Sequence, residues 1–458
     1  YQYGAEQGLL RNCRKGQCKA YVEKDIYVKI RRDVKMSHIN TKCVQEGYSP
    51  KSGEARVLPI YQSTTFKYED ADTLGDLFDF NASGHFYTRL SNPTVEAVEK
   101  KICALEGGIG AMLCSSGQGA TTAAMLTVCR AGDHIVSSSS IYGGSFNLLN
   151  ITLRKLGIDT TFVSPDASDD EIRAAIRPNT KLIFGETVAN PALTVLDIER
   201  WAAIAHENSL PLFVDNTFPS PVNCRPIEWG ADIVLHSTSK YMDGHAMALG
   251  GCIIDSGKFN WSESARHTDF CAPDESYHGL VYPEKFGNAA FIAKARAQMM
   301  RDIGMMMSPM NAFLLNVGLE TLHLRMPAHC SNALAVAEHL LSHPKIAWVD
   351  YPGLANNKYH KLAEKYMPNG TCGVISFGIK GGRAAAGKFM ESVELAAPVI
   401  HVADARTCVL HPASTTHRQL SDAQLEECGV TPDLIRMSVG IEYVGDIIAD
   451  IDKALEKC

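Results

Sequence analysis

The sequence predicts an α/β protein: a mostly parallel sheet covered by helices, followed by a smaller α+β domain. Three observations carry this. From about Pro93 onward, helical and strand patterns alternate at short spacing, which means a parallel sheet with both faces covered. The strands are short apolar runs that stop at polar residues, as in Leu212-Phe213-Val214-Asp215 and Ile233-Val234-Leu235-His236. Beyond about Gly318 a long helix and more widely spaced strands replace the alternation.

Asn92-Pro93-Thr94 opens a helix, because proline suits the first helical position, and the helix runs to Glu106-Gly107-Gly108. A strand over 111–114 leads through Ser115-Ser116-Gly117-Gln118-Gly119 into a helix over 120–129. Strands over 134–137, 160–163 and 181–184 alternate with helices over 145–156 and 169–176. A helix over 197–206 precedes the strand that ends at Asp215. In the last part, a helix over 320–341 is followed by strands over 347–349, 374–379 and 434–439 and a helix over 384–390. The connection over 256–312 holds Met299-Met300 and Met305-Met306-Met307, which read as adaptable core packing.

At 458 residues the chain is too long for one ordinary core. Its 45% hydrophobic and 21% charged residues fit a soluble globular protein, and a net charge of -7 gives no reason to expect nucleic acid or an anionic membrane as partner. Fourteen cysteines without a C-x-x-C pair argue for reduced thiols and a cytoplasmic location. No apolar run is long enough to cross a bilayer. The first 35 residues carry nine Lys/Arg against four Asp/Glu, with no serine and no apolar core, so they read as neither a secretory nor a mitochondrial signal. Met36-Ser37 resembles a natural start, and residues 1–35 are expected to be a basic extension outside the fold.

Lys240 follows the strand over 233–235 and three hydroxyls, Ser237, Thr238 and Ser239. A lysine at the carboxyl end of a core strand sits where open α/β sheets bind ligands; with little water around it, its pKa falls and it becomes a candidate amine nucleophile. A lone Ser-x-Ser-Lys is more often a surface feature. Two other strand ends on the same sheet edge change that balance. The small residues of Ser115-Ser116-Gly117-Gln118-Gly119 expose backbone N–H groups at a helix start, which favours phosphate. Asp215 closes a buried run and needs a cationic or hydrogen-bonding partner. Lysine, aspartate and phosphate cradle are the three parts that pyridoxal phosphate requires: an amine to hold it, a partner for its ring nitrogen and a seat for its phosphate.

At these residues the sequence resembles the Cys/Met-metabolism group of fold-type-I pyridoxal-phosphate enzymes. The motifs are Tyr87-Thr88-Arg89-Leu90-Ser91-Asn92-Pro93-Thr94, Ser116-Gly117-Gln118-Gly119, Val214-Asp215-Asn216-Thr217-Phe218, His236-Ser237-Thr238-Ser239-Lys240-Tyr241 and His411-Pro412-Ala413-Ser414, and the likeness spans nearly everything from Met36 onward. The resemblance implies that Lys240 holds the cofactor and moves protons, Asp215 keeps its ring nitrogen protonated and Tyr142 stacks on the ring. It further implies that Gly117, Gln118, Ser237 and Ser239 hold the phosphate, with Tyr87 and Arg89 reaching it from the neighbouring subunit. Arg436 would grip the substrate carboxylate, oriented by Asn190. Four regions follow: the extension over 1–35, an arm over 36–92 contributing to the neighbour's site, a cofactor-binding domain over 93–318 and a carboxyl-terminal domain over 319–458. A homotetramer built from dimers that share active sites is implied.

Within the group, Tyr277-His278-Gly279-Leu280, Phe286-Gly287-Asn288 and the stretch from Gly318 to Met326 resemble the O-acetylhomoserine sulfhydrylase branch, as does Asp404-Ala405-Arg406-Thr407. The implied reaction is γ-replacement on O-acetyl-L-homoserine by sulfide or a small thiol, with a methionine or cystathionine γ-lyase, or a γ-synthase, as the alternative. A catalytically silent oligomeric relative is a third possibility, opposed by the presence of Lys240, Asp215, Tyr142 and Arg436. Ala246-Met247-Ala248 stands where small or hydroxylated residues are usual, and Ala403 replaces an expected glycine beside His401. His411 and His417 lack a third ligand, so no metal site is expected.

Overall fold

The computed structural model describes residues 38–416, 418 and 430–458; the expected extension over 1–35 and His417 lie outside the described residues. The larger sheet has seven strands: β1 (Gly110–Cys114), β2 (His134–Ser138), β3 (Asp159–Val163), β4 (Thr180–Glu186), β5 (Leu212–Asp215), β6 (Ile233–His236) and β7 (Gly251–Asp255). Their order is β1-β7-β6-β5-β4-β2-β3, and only β7 runs against its neighbours. That strand was not among those expected from sequence. Its Gly-Cys-Ile-Ile-Asp opens on the double glycine Gly250-Gly251, which reads as a turn and masks the apolar run after it. Register places Cys114, Gly251, His236, Asp215 and Glu186 along one sheet edge.

The helix Pro93–Glu106 shows how local sequence serves that edge. The Asn92 side chain accepts from Thr94 N at 2.9 Å, Pro93 occupies the first turn, and Gly107 ends the helix at φ 81°. Val95, Val98, Ile102 and Leu105 are buried, each worth roughly 1.5–3 kcal/mol relative to exposure. The same packing delivers its last residue, Glu106, into the interior beneath β6. The helix expected over 145–156 is instead broken into Gly143–Asn147, a π-helical turn Leu148–Thr152 and Leu153–Lys155. Gly143, Gly144, Asn147, Asn150, Ile151 and Thr152 are weak helix formers, so regular winding has little local support there.

The smaller sheet is β10-β11-β12-β9-β8, from β8 (Ile346–Asp350), β9 (Val374–Ile379), β10 (Ala397–Pro398), β11 (Cys408–Leu410) and β12 (Leu434–Ser438). One helix, Pro309–Ser342, touches elements of both halves and begins earlier than the periodicity suggested. Ser308 caps it, its hydroxyl accepting from Asn311 N at 3.2 Å, with Pro309 next. Arg325 reaches inward from it to Tyr241 O (2.8 Å) and Gly318 O (2.7 Å). A Cβ on Gly318 would lie 2.4 Å from Asp243 O, so only glycine lets the helix approach the turn after Lys240 this closely. The methionine segment is part of the same packing: Met300 and Met307 are buried, and Met305 O accepts from Ser115 N at 2.9 Å. No helix of the described residues is long and apolar enough to cross a membrane.

Candidate active site

Three strand ends of the larger sheet supply one wall. His236 closes β6 fully buried, donating from Nε2 to Glu106 Oε1 at 2.5 Å, and the same oxygen accepts from Asn216 Nδ2 at 3.0 Å. Asn216 Oδ1 in turn accepts from the Thr187 hydroxyl at 2.9 Å. Beside this network, Thr217 bridges two strand ends: its hydroxyl donates to Asp215 Oδ1 at 2.5 Å and accepts from Ser237 N at 2.8 Å. Asp215 Oδ1 also accepts from Thr217 N at 2.9 Å, while Oδ2 has no hydrogen bond among the described residues. The sequence singled out Asp215 and Ser237 but not their link. Thr217 follows Asp215 by two residues, an Asx-turn spacing that could have signalled it.

The turn after Ser237 then sets Lys240. Gly244 N bonds Lys240 O at 2.7 Å, and Asp243, fully buried, accepts from Met247 N at 2.9 Å and Ala248 N at 3.2 Å. Ala246 sits at φ 57° and Ala403 at φ 66°, both in the left-handed region that favours glycine, so the departures noted at these positions carry backbone strain of roughly 1–2 kcal/mol each. Burial, with the Arg436 charge adding to it, brings the Lys240 amine down to about 8. Its Nζ lies 3.4 Å from His401 Nδ1. In the sequence His401 stands out only as a neighbour of Ala403.

The second wall comes from the smaller sheet. Arg436, 7% exposed on β12, donates from Nη1 to Asn190 Oδ1 at 3.2 Å and from Nη2 to Ile400 O at 3.1 Å. Its Nε is buried without a partner, and no carboxylate pairs with it among the described residues. A buried guanidinium without a counter-ion is costly, and burial pulls it down to about 10. Such a group is suited to an incoming carboxylate. Tyr142, 47% exposed, caps the helix Gly143–Asn147 and donates its backbone N–H to Glu186 Oε1 at 2.7 Å. Burial, then the Asp215 charge, pushes Glu186 well above the usual carboxylate range. Glu186 ends β4 as Asp215 ends β5, a parallel visible in the sequence, where each closes an apolar strand.

At the third place, Ser116 caps the helix Gly117–Val128, its hydroxyl accepting from Gly119 N at 3.0 Å. A Cβ on Gly117 would lie 2.7 Å from Ser237 Cβ, so the bare backbone faces Ser237 directly. Gln118 Nε2 reaches Ser145 Oγ at 3.5 Å. Ser239 is committed locally: its hydroxyl accepts from Gly250 N at 2.9 Å and donates to Gly250 O at 3.2 Å. Tyr87 and Arg89 lie apart from these residues. The Arg89 guanidinium stands 5.1 Å over the Tyr87 ring, and neither side chain bonds the Lys240 cluster among the described residues. His411 donates to Pro432 O at 2.8 Å, and among the described residues no group of three or more His, Cys, Asp or Glu could hold a metal ion.

The family model described as Cys/Met metabolism PLP-dependent enzyme matches residues 40–456. The chain belongs to that family. It is 46% identical over 426 residues to a homocysteine synthase of Schizosaccharomyces pombe, covering 92% of this chain and 99% of that one. It is also 46% identical over 412 residues to an O-acetyl-L-homoserine sulfhydrylase of Leptospira meyeri, covering 88% and 92%. A solved putative O-acetylhomoserine (thiol)-lyase of Campylobacter jejuni, carrying N'-pyridoxyl-lysine-5'-monophosphate, superposes with a TM-score of 0.88 at 35% identity, covering 92% of this chain and all of that one. This family member is therefore an enzyme of the fold-type-I α/β architecture, and its cofactor is pyridoxal 5'-phosphate.

The residues present fit that cofactor. The free Oδ2 of Asp215 suits a protonated ring nitrogen, whose charge would offset the burial that otherwise raises this carboxylate. The Gly117 backbone and the Ser237 side chain meet at a helix start, which places bare backbone N–H groups beside a hydroxyl where a phosphate is favoured.

Proposed function

We propose that this family member catalyses γ-replacement: O-acetyl-L-homoserine and sulfide, or methanethiol, give L-homocysteine, or methionine, and acetate. The observation that supports this most is the buried Arg436, without a counter-ion among the described residues and held by Asn190 on the wall facing Lys240, in a chain 46% identical to relatives bearing the sulfhydrylase and homocysteine synthase names. When bound, pyridoxal phosphate supplies an electron sink that lets protons leave Cα and Cβ.

In this reading Lys240 holds the cofactor and, once freed, carries protons between Cα, Cβ and Cγ. Its lowered pKa leaves a useful fraction uncharged near neutrality, as a base requires. Asp215 keeps the ring nitrogen protonated, oriented by the two hydrogen bonds from Thr217. Tyr142 lies against the ring, its position fixed through the Glu186 contact to its backbone. Gly117, Gln118 and Ser237 hold the phosphate, and Ser239 joins them by turning its hydroxyl proton from Gly250 O to the phosphate. Arg436 binds the α-carboxylate in a bidentate pair, with Asn190 fixing the guanidinium plane, so that the Cα–H bond faces Lys240. At Cγ the C–O bond to acetate breaks and a C–S bond forms. Residues 36–92 act as an arm, presenting Tyr87 and Arg89 to the neighbouring subunit's phosphate in a homotetramer of such dimers.

The test is a product balance from O-acetyl-L-homoserine with the purified holoenzyme, with and without sulfide. Homocysteine formed with sulfide and little 2-oxobutyrate is the expected result. Dominant 2-oxobutyrate whatever the sulfide would make the enzyme a γ-lyase.

A further inference from the structure

His401 belongs to none of the roles above, yet its ring is placed against the reacting amine. Its Nδ1 lies 3.4 Å from Lys240 Nζ, at the long end of hydrogen-bond range, and this is the ring's one hydrogen bond among the described residues. Nε2 is buried without a partner. The backbone around the ring is pinned on three sides. Ile400 O accepts from Arg436 Nη2 at 3.1 Å, His401 O accepts from Cys408 Sγ at 3.3 Å, and Ala403 N donates to Ser438 Oγ at 2.7 Å. Three contacts from two strands hold a strained segment whose ring, among the described residues, bonds the lysine alone.

We infer that His401 is a positioning residue for Lys240, accepting a hydrogen bond from its amine and so setting both the direction and the proton affinity of that group. The inference rests on the reading of Lys240 as the cofactor-bearing lysine. Burial, then the Lys240 charge, brings His401 down to about 4, so the ring is neutral where the enzyme works and can accept. Other ionisable groups face the pair. Arg436 and Cys408 act on Lys240, while Asp404, Asp243 and Arg436 act on His401. Arg436 disfavours the charged lysine, and no carboxylate forms an ion pair with the lysine among the described residues. The imidazole acceptor therefore works against burial, keeping Lys240 from losing its proton too readily.

The experiment follows cofactor capture by the apo-protein, read as the absorption of the lysine-bound form after pyridoxal phosphate is added over a pH series. Capture needs the uncharged amine, so its rate rises with pH and levels off above about 8 in the wild type. His401→Leu removes the acceptor and deepens burial, both of which disfavour the charged amine. The midpoint should move down by about one pH unit, a tenfold change in proton affinity. His401→Asn offers an amide oxygen in place of Nδ1 and should stay close to wild type. His401→Ala replaces the leucine variant if that one fails to fold, with the same downward shift expected. An unmoved or raised midpoint in the apolar variants, or an asparagine variant that shifts as far as they do, would overturn the inference. Lys240→Ala separates this from failure of the underlying reading. If the absorption persists in that variant, Lys240 is not the anchoring amine and both ideas fall. If it vanishes while the apolar variants keep the wild-type midpoint, only the role of His401 falls.

Discussion

Glu106, buried at the edge of the larger sheet, accepts hydrogen bonds from His236 and Asn216, whereas Arg436, buried in the smaller sheet, meets no carboxylate among the described residues. The first arrangement satisfies donors in advance and leaves one face, around Asp215 and Ser237, rigid. The second holds a cation in place through two neutral acceptors and withholds its counter-charge. Paired donors fix geometry, even though Glu106 Oε2 is buried without a partner among the described residues; a cation without a counter-charge selects a ligand. The two sheets thus divide the work, the larger one seating a resident group and the smaller one discriminating what enters.

The largest effect should come from Lys240→Ala, which removes the amine from the seated side. Turnover of O-acetyl-L-homoserine should fall by about four orders of magnitude, at the upper end of what one acid–base group contributes, and retained turnover would break the division outright. Next is Glu106→Leu, which strands the buried His236 Nε2 without its acceptor and leaves Asn216 Nδ2 with Cys224 O alone. Denaturant unfolding should show a loss of about 3–5 kcal/mol, and a loss near zero would mean the network fixes nothing. Arg436→Leu is the mirror test. It should cost about 2–4 kcal/mol in kcat/KM, mostly through KM, yet leave the melting temperature unchanged or higher because an unpaired buried charge has gone. A fall in stability matching Glu106→Leu would erase the contrast. The smallest effect is Ala403→Gly, which relieves the φ of 66° and should add up to about 1 kcal/mol of stability while loosening the segment that carries His401.

Much of the larger sheet's edge was legible because its chemistry sits at strand ends, where an apolar run breaks at a polar residue. Asp215, Ser237 and Lys240 are visible that way, and the family resemblance added Arg436 and Asn190 from distant parts of the chain. What stayed hidden depends on contacts between those parts. Nothing local marks Glu106 as the acceptor for His236, since a glutamate ending a helix reads as solvated until packing turns it inward. Strand β7 was hidden by the double glycine that opens it, and the π-helical turn by the smoothness of its apolar pattern. His401 could not be paired with Lys240 from spacing, because the approach exists only once the two sheets meet.

Ser115 N bonds Met305 O, and Cys114 forms an isolated bridge with Met306, so the backbone just before the glycine cradle is tied to a segment far downstream. During synthesis this sets an order of assembly. A nascent chain that has emerged only as far as Lys240 can carry the amine, the aspartate and the glycine turn, but not the strap that closes onto them. The guanidinium arrives later still, on the last strand. Fragments released early from the ribosome would therefore include an amine for the cofactor while lacking the means to choose a substrate, and only a chain extended past Arg436 combines the two.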